Sequence, residues 1–131
     1  MKRNIELEKE MQAIASLIWS HIGIGREPKI ESKYGGSTGA YYPSEHCVRI
    51  RWTSWAKMPE AGKRMIMIHE LYHAAGHHHN SKDMFCHAFD ILTIQLYLKI
   101  YGEDEEFVTV MKQLDERADE LINYSQSLKR N

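Results

Sequence analysis

The stretch PEAGKRMIMIHELYHAAGHHH, Pro59 to His79, decides how this chain is read. Met65, Ile68, Leu71, Tyr72 and Ala75 recur at the spacing that lines one face of an α-helix. Pro59 suits a first helical turn, and Gly76 suits the left-handed position that ends a helix. On that helix His69 and His73, four apart, lie one above the other and can point two imidazole nitrogens at one ion. Glu70 is rotated about 100° from His69, away from the coordination position but within reach of a water on the ion, which is the place of a general base. A catalytic zinc needs a third protein ligand and an open position. Gly76 lets the chain turn back so that His79 approaches from another side, which completes H-E-x-x-H-x-x-G-x-x-H. The expected chemistry is hydrolysis by a Zn2+-activated water whose proton Glu70 takes.

With eight His in 131 residues, a bare H-E-x-x-H match arises by chance about 0.05 times, and requiring Gly76 and His79 lowers that further. The plain alternative is a solvated histidine-rich turn, since His77, His78 and His79 are contiguous. His87 falls on the next helix within range of a third ligand and competes with His79, with a helix-surface or core histidine as its simpler role. Asp90, one turn later, can orient a ligand histidine or be an ordinary surface carboxylate.

Upstream, Leu7, Met11, Ile14, Leu17 and Ile18 repeat at helical spacing behind a capping Asn4, with Gly23 and Gly25 closing the segment, so a helix is expected over about 5–21. KIESKY, GAYYP and HCVRIRWT then alternate as three short strands separated by GGST and PSE. Downstream, SKDMFCHAFDILTIQLYLKIYG has Ser81 as a cap and a stripe of Phe85, Ala88, Phe89, Leu92 and Leu96. Its other faces are apolar too, so a buried central helix is expected. From about Glu103, Phe107, Met111, Leu114, Ala118, Leu121 and Leu128 step by threes and fours with a polar skip at Ser125, which reads as one long amphipathic helix. Its stripe packs on its own domain or supports self-association. The expectation is an α+β single domain over 1–131: N-terminal helix, small three-stranded sheet, motif helix, buried helix and long C-terminal helix.

The whole chain is consistent with this. At 131 residues and 43% hydrophobic it supports one core and not two. Seventeen basic against eighteen acidic side chains create no global field toward nucleic acid or an anionic membrane. No stretch approaches the ~20 apolar residues of a membrane span. Glu6, Glu8 and Glu10 interrupt the amino terminus as a secretory signal. Cys47 and Cys86 make no disulfide framework, although one bridge stays open, and a cytoplasmic protein with reduced thiols is expected. Tyr41 and Tyr42 read as strand packing before oxyanion stabilisers, and Arg49 and Arg51 as a solvent-facing row opposite Val48, Ile50 and Trp52.

MIMIHELYHAAGHHH resembles the active-site helix of zincin metallopeptidases, and the His69, His73, His79 spacing is similar to the metzincin branch. The order of elements over about residues 5–100 is more similar to compact SprT-like peptidases. The resemblance implies His69, His73 and His79 as zinc ligands, Glu70 as general base, and a peptide or protein substrate lying extended along the sheet edge near residues 40–53. It departs from the SprT-like pattern where Asn80 follows the third histidine and Phe85 sits six residues after His79, and neither Met84 nor Met111 is assignable to a metzincin methionine turn. YbeY-like endoribonucleases share the histidine spacing but have glycine where this chain has Glu70. A latent or non-catalytic zinc-binding regulatory module would need the histidines and no base.

Overall fold

A computed structural model of the chain describes residues 3–77, 87–114 and 118–129. Among them are six helices and one three-stranded sheet, an α+β architecture in the expected order.

Helix α1 (Ile5–Ile22) starts where Asn4 Oδ1 accepts from Leu7 N at 3.0 Å and ends at Gly23, whose φ of 65° is the left-handed cap expected of a glycine there. It buries Met11, Ala15 and Ile18 completely. Strands β1 (Lys29–Lys33), β2 (Gly39–Tyr42) and β3 (Cys47–Arg51) form a mixed sheet ordered β1-β3-β2, with β1 parallel and β2 antiparallel to β3. Both β1 and β2 are therefore edge strands. Val48 and Ile50 are fully buried on one side of β3, while Arg49 and Arg51 alternate to the other. After β3 the chain makes a short helix α2 (Trp52–Trp55), not the continued strand that alternation through Trp52 predicted, and Trp55 sinks into the core with its indole N–H donating to Glu10 at 2.8 Å.

The motif helix α3 (Glu60–Ala74) is the hub of the fold: it packs on α1, β2, β3 and two later helices. Pro59 stands at its cap, one residue before the expected first-turn position, and offers no side-chain acceptor. The first-turn donor Ala61 N is satisfied instead by Glu106 Oε1 at 2.7 Å, brought from far along the chain. Met67, Ile68 and Leu71 are fully buried. Helix α4 (His87–Tyr101) is buried on several sides through Ile91, Ile94, Leu96, Tyr97 and Leu98, as its all-round apolar sequence required. Ser81 and Phe85 lie outside the described residues.

The expected long terminal helix is two helices, α5 (Glu105–Leu114) and α6 (Ala118–Lys129), which pack on one another. Gln126 Nε2 donates to Glu103 Oε2 at 2.7 Å across 23 residues, a separation that would be about 34 Å along a straight helix. The chain thus doubles back: of the expected stripe Phe107 is fully buried and Met111 nearly so, α6 buries Ile122, and the side chains of Leu114, Ala118, Leu121 and Leu128 lie outside the described residues. Ser125, the polar skip, is 1% exposed and its hydroxyl has no hydrogen-bond partner among the described residues, so it occupies the buried row that its position in the repeat assigns.

Candidate metal centre and its carboxylate

The last turns of α3 bring His69 and His73 together as their spacing predicts, with ring centroids 4.9 Å apart and planes at 84°. The helix ends in a Schellman motif: Gly76 N donates to His73 O at 3.0 Å, His77 N donates to Tyr72 O at 2.9 Å, and Gly76 takes φ 99°. The reversal carries the His77 carbonyl back over the helix end, where it lies 2.8 Å from His73 Nδ1. A carbonyl can only accept, so Nδ1 bears the proton and Nε2 the lone pair, which is the tautomer that binds a metal. One glycine therefore stops the helix and fixes the chemistry of a histidine three residues before it.

Glu70, rotated about 100° from His69 around the helix, packs against the sheet and is 6% exposed. A Cβ built on Gly39 of β2 would stand 3.0 Å from Glu70 Oε2 and 3.2 Å from both Glu70 Cγ and Ile50 Cδ1, so the carboxylate is seated against bare backbone of the edge strand. Gly39 is a glycine for space; its φ is not in the left-handed region. Burial pushes the Glu70 carboxyl up to about 7, opposed only by the positive charge of Lys33. Lys33 is itself 7% exposed, and its ammonium donates to Ser37 Oγ at 3.1 Å.

Two histidines on one helical face, one of them His73 in the tautomer that binds a metal, with a buried carboxylate one residue along from His69, fit a zinc ion of the N-ligand kind. Among the described residues no group of three metal-ligating side chains is assembled. His79 lies outside the described residues, as do Met84 and Cys86, and of His87 and Asp90 only the backbone at the start of α4 is described. Cys47 is a free, buried thiol pushed up to about 11 by burial, which argues against a thiolate ligand. Tyr41 is not an idle hydroxyl: it lies 2.7 Å from His46 Nδ1. Tyr42 packs under the Arg49 guanidinium at 4.6 Å from the ring centre. Met111 belongs to the α5 core. Neither Lys33 nor Gly39 was singled out by the sequence, since both matter only through contacts that the fold creates.

Compared with protein-family models, curated proteins and solved structures, the chain matches none. No helix among the described residues is long and apolar enough to cross a membrane.

Proposed function

We propose that the protein is a zincin-like zinc metallopeptidase. The observation that carries this is Glu70, a carboxylate 6% exposed whose proton affinity is raised by burial, one residue along the helix from His69, whose ring lies 4.9 Å from that of His73. Burying a carboxylate costs stability, and an acid shifted this far beside candidate metal ligands is a candidate for chemistry. His69 and His73 would hold the ion, with His79 as third ligand and His87 as the alternative. Zinc, when bound, supplies a Lewis acid that acidifies a water and polarises a carbonyl. A carboxyl held at about 7 exchanges its proton readily at neutral pH, so Glu70 can take one from water and pass it to the leaving amine.

The substrate's path is supported by the sheet. Arg51 N donates to Thr38 O at 2.8 Å, which turns the backbone of Thr38, Ala40 and Tyr42 toward β3 and that of Gly39 and Tyr41 outward. Among the described residues no strand pairs with that outer edge. An extended peptide adding there would pass directly beside Glu70.

The test is cleavage of an unfolded protein and a peptide library by the purified full-length chain, with RNA in parallel. Peptide cleavage that chelation abolishes and zinc restores is expected; cleavage of RNA alone would overturn the proposal in favour of a YbeY-like nuclease.

A further inference from the structure

Two rows of the sheet differ in a way the proposed reaction explains. Strands β1 and β3 set Glu31 beside Arg49 and, two residues on and on the same side, Lys33 beside Arg51. The first row is neutralised: Arg49 Nε meets Glu31 Oε1 at 3.1 Å, and its Nη2 meets Glu45 Oε1 at 3.0 Å. The second row is two cations with no carboxylate within ion-pair distance among the described residues. Like charges opposite one another destabilise a sheet, and Lys33 is 7% exposed as a residue. Lys33 has three N–H donors and uses one, on Ser37. Arg51 spends Nε on Ser54 Oγ at 2.7 Å and Nη1 on Gly36 O at 2.9 Å, and its Nη2 is unused.

The way in is also built. Residues 34–37 pass over the ammonium as an exposed loop, and a Cβ on Gly36 would lie 3.4 Å from Lys33 Nζ, while a Cβ on Gly35 would meet nothing within 4 Å. Bare glycine backbone thus leaves the cations approachable. Ser37 Oγ also donates to Gly39 O at 3.2 Å, so the pair is tied to the strand residue on which Glu70 rests.

We propose that Lys33 and Arg51, at the same end of the sheet as Gly39 but on the face opposite Ile50, form a subsite for a carboxylate of the peptide substrate. This rests on the peptidase reading of the same site. The carboxylate is either an Asp or Glu side chain or the free carboxyl terminus, and either would take the unused Lys33 and Arg51 donors.

Fluorescence anisotropy of labelled peptides with the metal-stripped, dialysed full-length chain tests this without turnover. Three peptides of one sequence are compared: a Glu peptide ending in an amide, its Gln counterpart ending in an amide, and the Gln peptide with a free carboxyl terminus, the Glu/Gln position being moved along the sequence. At least one charged form is expected to bind about tenfold tighter than the neutral one, and which one identifies the source of the carboxylate. In Lys33→Met the advantage is expected to shrink below about twofold; should that variant fail to fold, Arg51→Gln at a half-buried position carries the same comparison. A purely structural lysine would alter stability and leave this ratio alone. No charge preference in the wild type, or the same preference in the variants, overturns the subsite. Peptide cleavage without charge preference sinks this inference alone, and charge preference without cleavage sinks the peptidase reading alone.

Discussion

Glu8 and Glu70 are almost equally buried, at 8% and 6% exposed, and their carboxyls are driven in opposite directions. Glu8 accepts from Arg3 Nε at 2.9 Å, from Ser32 N at 3.0 Å and from Ser32 Oγ at 2.6 Å, and the Arg3 bond above all holds its pKa down to about 2. Among the described residues no such donor reaches Glu70, and burial lifts it to about 7. Depth is the same; satisfaction is not. Glu8 pins α1 to β1 and is chemically silent, because every oxygen is committed to the fold. Glu70 is left with proton affinity to spare at the end of a helix that presents two histidines, and this is the difference between a structural carboxylate and one available for acid–base work.

The largest expected effect comes from removing what Glu70 is paired with by function. His69→Ala or His73→Ala should each drop zinc from about one per chain to near zero and abolish peptide cleavage. Elemental analysis checks it, and zinc retained in both variants would leave Glu70 an unexplained buried acid. His79→Ala set against His87→Ala identifies the third ligand by the same readout.

Next is Glu8→Gln, which should cost roughly 2 kcal/mol at neutral pH, read by urea unfolding. Because the folded pKa lies below the ordinary 4.5, this stabilisation is full above pH 4.5 and is lost as the pH falls toward about 2. The difference between wild type and variant should therefore vanish in acid; a constant difference would mean that packing, and not charge, is what Glu8 supplies.

Gly39→Ala sharpens the comparison from the strand side. The added methyl crowds Glu70 Oε2 and Ile50, so the carboxylate must shift, and cleavage should fall about tenfold with zinc content intact. Full activity in that variant would show that the seat on β2 does not position the base.

The smallest effect is a gain. In metal-free protein, a carboxyl raised to about 7 stabilises the fold below pH 4.5 and loses that contribution as the pH rises through 7. Glu70→Gln should therefore unfold later than wild type by about 1 kcal/mol at pH 8 and show no such gain at pH 5. An equal change at both pH values would contradict a carboxyl raised by burial.

Much of this was legible in the chain. Asn4 and Gly23 bound α1, Gly76 ended α3, and the H-E-x-x-H spacing placed two imidazoles on one face, because each depends on neighbours within a helical turn or two. The terminal hairpin was not legible: the stripe steps evenly from Met111 through Leu114 to Ala118, and periodicity reports which face is apolar without reporting that the chain turns over. The short α2 was hidden for a related reason, since Trp52 continues the alternation of Val48 and Ile50 and only tertiary burial of Trp55 breaks it. Gly39 and Lys33 carry no local signal at all. One is defined by the approach of a helix 31 residues later, the other by the register of a parallel strand.

The most direct measurement of the central claim is zinc content and peptide turnover on the same preparations of wild type and Glu70→Gln. About one zinc per chain in both, with turnover lower by a factor of ~10²–10⁴ or more in the variant, is the predicted result. Turnover equal in the two proteins, or a wild type that takes up no zinc, would contradict it.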